Sequence, residues 1–168
     1  MNNKPLIVSI IGAVIAVVLQ ATVAPAMEIA SALPNFILAY VLALAVSRPE
    51  SGLVMPFLLG LIFDLMGTGP VGAMALICTL MAFALSRLSV VLDNDTLFMP
   101  IVLIIAGSLI SNIVYGILII ACGMDVSILE ALVGRALPCG IYDAVLALVM
   151  FPLLLRLMQL GENQMRMH

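Results

Sequence analysis

Hydrophobic and polar positions divide the chain into six apolar segments joined by short connections rich in turn-forming residues. Pro25 and Pro34 flank the first connection, and residues 48–52, 67–70 and 93–96 form the next ones with the sequences Arg-Pro-Glu-Ser-Gly, Gly-Thr-Gly-Pro and Asp-Asn-Asp-Thr. Long apolar runs with few charges predict membrane-spanning helices, although the second and third runs are short. The predicted spans are residues 5–23, 34–46, 52–66, 71–92, 99–123 and 138–160.

The connection before the last segment has a helical pattern of its own. Ser127 and Glu130 have the spacing of a capping box. The apolar residues that share one helical face from there onward are Ile128, Leu129, Leu132, Val133 and Ala136. This pattern predicts a short helix that lies either in the membrane interface or against the bundle, and the sequence does not separate the two positions.

The first segment has two features of a secretory signal, because Lys4 precedes it and Ala24-Pro25-Ala26 follows it. The apolar region of such a signal is only about 7 to 15 residues long. Here no charge occurs between Lys4 and Glu28. A run of that length can cross a hydrocarbon core of about 30 Å at about 1.5 Å per residue. We therefore predict that the first segment is retained as a span.

Composition supports a protein that lies almost wholly within a bilayer. Of the 168 residues, 65% are hydrophobic and 9% are charged, whereas a soluble domain has about 25% charged residues. No polar stretch is long enough for a separate soluble domain. We expect one integral membrane domain over residues 1–168, an all-α bundle of six transmembrane helices surrounded by membrane lipid. The net charge is −3 and the six basic residues are scattered, so no nucleic-acid partner is expected.

The basic residues are distributed unevenly between the two sides of the predicted bundle. With the N-terminus inside, the opposite side holds Arg135 alone. The cytoplasmic side then holds Lys4, Arg48, Arg87, Arg156 and Arg166. By the positive-inside rule, we predict that both termini are cytoplasmic.

Asp64 is the first candidate for a functional residue. An ionisable residue at mid-membrane costs about 2.5 to 3.5 kcal/mol on insertion scales. Counted from Gly52, it lies about 18 Å into the membrane. Its burial requires hydration, a hydrogen-bonding partner or protonation. Two interpretations stay open: Asp64 has a role inside the bundle, or the third helix is short and Asp64 is hydrated near the outer interface.

Asp143 is the second candidate, five residues into the last predicted span and beside Tyr142. The predicted topology puts it near the outer face, where Asp64 and Asp143 could approach each other or share Arg135 as a partner. Two intramembrane aspartates suggest an aspartyl protease, in which paired carboxylates share a proton. However, the surrounding residues do not resemble the motifs of lipoprotein signal peptidases or prepilin peptidases, so this is a less favoured alternative.

Two other segments have small or polar residues at helical spacing. In the fifth segment these are Ser108, Ser111, Asn112 and Tyr115, flanked by Gly107 and Gly116. In the first segment they are Ser9, Gly12, Ala13 and Ala16. Small residues allow close helix approach and polar ones bond across the gap, so we favour helix packing over a substrate-lining face.

The sequence lacks the sets of residues that common enzyme mechanisms use. The only histidine is the terminal His168, and Cys78, Cys122 and Cys139 lie in apolar runs without metal-ligand spacing. There is no Ser-His-Asp set and no glycine-rich phosphate loop. We therefore predict no catalytic activity, no metal and no cofactor.

The middle of the chain resembles the rod shape-determining MreD family. The resemblance rests on Leu33-Pro34-Asn35 before a short apolar helix, the break at Arg48-Pro49, the sequence Gly-Leu-Ile-Phe-Asp-Leu at 60–65, and Gly72 after a small polar turn. Its specific part covers residues 33–88, and the number of spans agrees over the whole chain.

The resemblance implies a non-catalytic subunit of the bacterial elongation machinery in the cytoplasmic (inner) membrane, supporting lateral peptidoglycan synthesis and cell shape. Similar proteins bind MreC and work with the MreB filament, the RodA glycosyltransferase and its penicillin-binding transpeptidase partner. Pro34, Gly60, Asp64 and Gly72 match family positions and are expected to be structural or interfacial. Asp143 has no match there, and it is a candidate, with Asn112, because of its position in this sequence.

The family is also similar in fold to the substrate-binding S-components of energy-coupling vitamin transporters, which supplies an alternative function. An S-component would use the small residues of its first helix to contact a transporter scaffold. It would also need a polar or aromatic vitamin pocket toward the outer face. This chain has no tryptophan and few aromatic residues, so we favour the scaffold function.

Overall fold

The computed structural model describes residues 4–27, 33–67, 69–92, 98–123 and 134–163. These residues form α-helices, one short 3₁₀ turn at Ala24–Met27 and a π-helical turn at residues 134–136, and no β-strand occurs among them, which confirms the all-α expectation. The helices of this described part are α1 (Lys4–Thr22), α2 (Phe36–Ser47), α3 (Val54–Met66), α4 (Ala73–Val91), α5 (Phe98–Ala121) and α6 (Leu137–Asn163).

The short helix α2 lies at the centre of the bundle. Within the described chain it packs against each of the other five helices, and these form a closed ring in the order α1, α3, α4, α5, α6 and back to α1. Every residue from Phe36 to Val46 is buried. A helix that is apolar on all sides is typical of a buried position. Protein therefore covers α2 on every side.

The outer surface of the ring is apolar. Large hydrophobic side chains are exposed along the ring helices, for example Ile10 and Val14 on α1, Phe57 on α3, Ile110 on α5 and Val149 on α6. Soluble proteins rarely expose a contiguous apolar patch larger than a few hundred Å². This surface is therefore suited to lipid, and the chain is a membrane protein.

The helices differ in the length available for crossing a bilayer. Among the described residues, α4, α5 and the segment Gly134–Leu157 are long and apolar enough to cross a membrane. The first helix, counted over Leu6–Thr22, together with α2 and α3, is apolar but shorter.

The helix predicted in the last connection falls almost wholly at residues 124–133, outside the described residues. Of the residues on its apolar face, Ala136 is described, and it is buried just before α6. The predicted helix stays a prediction.

Candidate functional site

Asp64 lies on α3 and binds the beginning of α4. Its carboxylate accepts backbone N–H bonds from Gly72 (2.9 Å), Met74 (3.0 Å) and Ala75 (3.1 Å), and the side chain is 3% exposed. The first N–H groups of a helix have no intrahelical acceptor, and the helix dipole favours a negative charge there. Hydrogen bonding is therefore the means by which this structure offsets the burial of Asp64.

Gly72 allows the chain to reach that carboxylate. It precedes α4 with a φ of +98°, a left-handed conformation that glycine adopts without the steric cost of a side chain. Because glycine has no side chain to cap the helix, the cap comes from α3 instead. The positive φ and the Asp64 bond together define the turn into α4.

Gly60 brings the two helices close enough for these bonds. A Cβ added at Gly60 would lie 2.5 Å from Ala75 Cα and 2.6 Å from the Met74 carbonyl oxygen, both backbone atoms. Gly60 and Asp64 are four residues apart and therefore share one face of α3. We refer to Gly60, Asp64 and Gly72, with the first turn of α4, as the α3–α4 clasp.

Asp143 on α6 makes a comparable contact at the beginning of α2. Its Oδ1 accepts the Asn35 backbone N–H at 2.7 Å, and its Oδ2 accepts a bond from Asn112 Nδ2 at 3.0 Å. The side chain is completely buried. Through Asp143, helix α6 is bonded to α5 and to the residue that caps α2.

Two further side chains complete the amino end of α2. Gln20 Oε1 on α1 accepts the Phe36 N–H at 2.7 Å, and Asn35 Oδ1 accepts the Leu38 N–H at 2.9 Å. Gln20 Nε2 also donates to the carbonyl of Pro34, a buried residue, at 3.3 Å. We refer to Gln20, Asn35, Asn112 and Asp143 as the α2 cap cluster.

Sequence reasoning missed Gln20 and the capping role of Asn35. A signal existed for each. Asn directly before an apolar run is a typical N-cap, and Gln20 is the one amide side chain in the first apolar segment. No sequence pattern indicates that Gln20, far earlier in the chain, reaches the same helix end.

The polar residues of α5 serve helix packing. Ser108 Oγ donates to the Gly140 carbonyl on α6 at 2.7 Å, and Ser111 Oγ donates to the Gly107 carbonyl of its own helix at 2.7 Å. A Cβ at Gly107 would lie 2.9 Å from Leu85 Cδ1, so α5 and α4 are in close contact there. These contacts fit the packing interpretation of the stripe.

The two aspartates are bonded to different partners. In the described part of the chain, neither carboxylate bonds to the other or to Arg135, and the ion pair found there joins Arg48 to Glu50. The clasp and the cap cluster meet at Met74, whose N–H binds Asp64 and whose Sδ lies 3.9 Å from Asn35 Nδ2. Because no hydrogen bond joins the two carboxylates, the shared-proton pair typical of an aspartyl protease does not occur among the described residues.

The small residues of α1 face the interior. Ser9, Ala13 and Ala16 are buried, and a Cβ at Gly12 would lie 2.8 Å from the Tyr40 ring on α2. The expectation that an S-component would present this face to a scaffold therefore does not fit, because α2 already covers it. The reason is steric, since the bulky Tyr40 requires small residues opposite it.

The chain matches one known family. The family model described as rod shape-determining protein MreD matches residues 2–160. No curated protein and no solved structure is significantly similar to the chain.

Proposed function

Because the chain belongs to the family of the rod shape-determining protein MreD, whose members are non-catalytic, we propose that it is a six-span scaffold subunit of the bacterial rod-shape complex. The observation that carries this proposal is the extent of the match, residues 2–160 of 168. In the proposed arrangement, all six helices cross the cytoplasmic (inner) membrane and both termini are cytoplasmic.

The proposed partners are an MreC-like protein, the RodA glycosyltransferase with its penicillin-binding transpeptidase, and the MreB filament, bound directly or through the others. Their joint product is lateral peptidoglycan and a rod-shaped cell. The use of polar groups supports a scaffold. Among the described residues, both buried carboxylates accept N–H bonds at the beginning of other helices, an arrangement that stabilises the fold.

Substitutions of Asp64 in the α3–α4 clasp test whether the fold is needed for partner binding. Asp64→Leu leaves three backbone N–H groups without their acceptor, whereas Asp64→Asn keeps one side-chain oxygen that serves two of them if it takes the place of Oδ2. Intramembrane hydrogen bonds are worth about 0.6 to 1.7 kcal/mol each, so Leu costs roughly 2 to 5 kcal/mol and Asn about 1 to 2. We expect Asp64→Leu to impair co-purification with the MreC-like partner and Asp64→Asn to retain most of it.

Both variants are compared with the parent at matched membrane levels, captured from native membranes. If Asp64→Leu recovers the partner as well as the parent does, the clasp has no role in assembly. Capture from the parent that yields an ATPase pair in place of cell-wall proteins would contradict the scaffold and favour the vitamin transporter.

A further inference from the structure

Helix α3 presents a short apolar face to the surroundings of the ring. Its exposed side chains run from Val54 through Leu58 and Ile62 to Leu65. At about 1.5 Å per residue, this face is about 17 Å long, while a typical hydrocarbon core is about 30 Å thick. A helix that is too short cannot adapt by tilting, because tilting shortens its projection further.

The opposite side of the ring is long. Exposed apolar side chains extend from Phe98 to Ile117 on α5 and from Leu137 to Leu153 on α6, where the exposed Arg156 follows. These uncharged bands are about 28 and 24 Å long. Since α3 packs between α1 and α4 in the ring, the molecule has one thin side and one side of ordinary thickness.

Helix α3 is shorter than its neighbour α4 at its amino end, which is the cytoplasmic end in the proposed arrangement. The close approach of Gly60 to Ala75 puts these residues at the same height on antiparallel helices. Val54 is then level with about residue 81 of α4, and α4 continues for about 9 Å to the exposed Arg87 and on to Val91. The Leu88, Val90 and Val91 side chains on that extension are exposed.

Charged groups fix the level at which α3 begins. Arg48 Nε binds the exposed Glu50 carboxylate at 3.1 Å, and Arg48 Nη1 lies 3.4 Å from Ser9 Oγ on α1. These groups need water or lipid headgroups, because an ion in hydrocarbon is costly. The cytoplasmic surface of the bilayer therefore has to lie closer to the bilayer centre at the start of α3 than at the cytoplasmic ends of α1 and α4.

We propose that the exposed face of α3 is a lipid-binding surface that thins the bilayer locally and enriches short-chain phospholipids there relative to α5 and α6. This rests on the six-span arrangement of the proposed function. Mismatch costs a fraction of a kcal/mol per Å and is relieved by thinning or by selection of shorter lipids. Because the apolar face of α3 is the shortest, selection of short-chain lipids should be strongest beside α3.

The chain contains no tryptophan, so one introduced tryptophan reports its own surroundings. Leu58→Trp on α3 and Ile110→Trp on α5 replace side chains of similar exposure, 50% and 48%. Each variant of the full chain is reconstituted in mixtures of dimyristoleoyl and dierucoyl phosphatidylcholine, with the short or the long lipid brominated in turn. We expect the short-to-long quenching ratio at Leu58→Trp to exceed that at Ile110→Trp by about twofold or more.

Equal ratios at the two positions would overturn the inference and leave the six-span arrangement intact. Blue-shifted emission at Leu58→Trp without quenching by either lipid would also overturn it, since a second copy of the chain then covers α3. Water-like emission without quenching would show that α3 lies outside the bilayer, and the six-span arrangement itself would fail. Circular dichroism of each variant verifies that the helices are retained.

Discussion

Asp64 and Asp143 each place a carboxylate at the amino end of a helix to which they do not belong. Asp64 on α3 binds the first turn of α4, and Asp143 on α6 binds the N–H of Asn35 before α2. The insertion cost of an aspartate, about 2.5 to 3.5 kcal/mol, is comparable to the sum of these bonds at about 0.6 to 1.7 kcal/mol each. The hydrogen bonds and the helix dipole therefore offset the cost of burying the carboxylates inside the membrane.

Gly60→Ala should destabilise the fold strongly. Its Cβ would meet the backbone of Met74 and Ala75 below 3 Å, so α3 and α4 would have to separate. Overpacking of this kind costs about 1 to 3 kcal/mol. Gly67→Ala is the matched control, because its Cβ meets nothing closer than 3.6 Å and its φ is −94°. Thermal unfolding in detergent should show a clear loss for Gly60→Ala and little change for Gly67→Ala.

Asp143→Asn should be mild. Its remaining oxygen can keep the 2.7 Å bond from Asn35, while its amide faces Asn112 without bonding, a loss of about 1 kcal/mol. Asp143→Leu removes the acceptor of the Asn35 N–H and one of the two acceptors of Asn112 Nδ2, which keeps its bond to the Ser108 carbonyl, and should cost about 2 to 4 kcal/mol. Complementation of cell shape, with membrane levels measured in parallel, should succeed for Asn. Loss of shape in Asp143→Asn at normal level and normal partner binding would instead point to chemistry at this carboxylate.

Helix α2 depends on its neighbours for its position along the bundle. Residues Phe36–Val46 are buried all round and offer no polar face to set a register. The polar contacts lie at the amino end, in the α2 cap cluster, and at Tyr40, whose hydroxyl donates to the Ser9 carbonyl at 2.6 Å. Helices α1 and α6 thus fix α2 through a few directional bonds, and α5 contributes through the bond from Asn112 to Asp143.

Substitutions of Asn35 should show an inverted capping order. Asn and Asp are usually equivalent N-caps. Here, however, Asp143 binds the backbone N–H of the same residue, so a carboxylate at position 35 would lie near a second one in a buried site. We expect Asn35→Ser to lower the free energy of unfolding by less than about 1 kcal/mol and Asn35→Asp to lower it by more. Thermal unfolding at neutral pH measures both changes. Equal losses would show that the two side chains are screened from each other.

At the scale of the whole molecule, a closed ring around one central helix separates two environments. The polar atoms of the clasp and the cap cluster point inward, and the outer surface is apolar. Lipid provides no hydrogen bonds, so such inward placement is the expected arrangement for a bundle in a bilayer. The difference in helix length around the ring then determines how the bilayer must adapt.

The proposed topology can be tested with one native and one introduced cysteine. Cys122 is exposed at the end of α5, and Ser51 lies between α2 and α3. In a Cys139→Ser background, we expect a membrane-impermeant maleimide to label Cys122 from the periplasmic side. With Cys122→Ser added, it should label Ser51→Cys only after the inner side is opened. Buried Cys78 serves as an unlabelled control. The reverse pattern would contradict the predicted orientation of the bundle.

The apolar pattern was sufficient to predict an all-α membrane protein with helices near 5–23, 34–46, 52–66, 71–92, 99–123 and 138–160, because segment length and polarity are local properties. It also singled out Asp64, since an aspartate in an apolar run stands out in any sequence. The motif at Gly60, Asp64 and Gly72 was recognisable by resemblance, but the close approach of Gly60 to α4 was not.

Only the tertiary structure decided which helix lies at the centre and which partners the polar residues have. An apolar segment such as Phe36–Ser47 reads alike whether protein or lipid surrounds it, because both are apolar. Asp143 and Asn35 are 108 residues apart, and the small residues of α1 suit an inner or an outer face equally well. Packing is a property of pairs of helices, so their sequences, each taken alone, do not contain it.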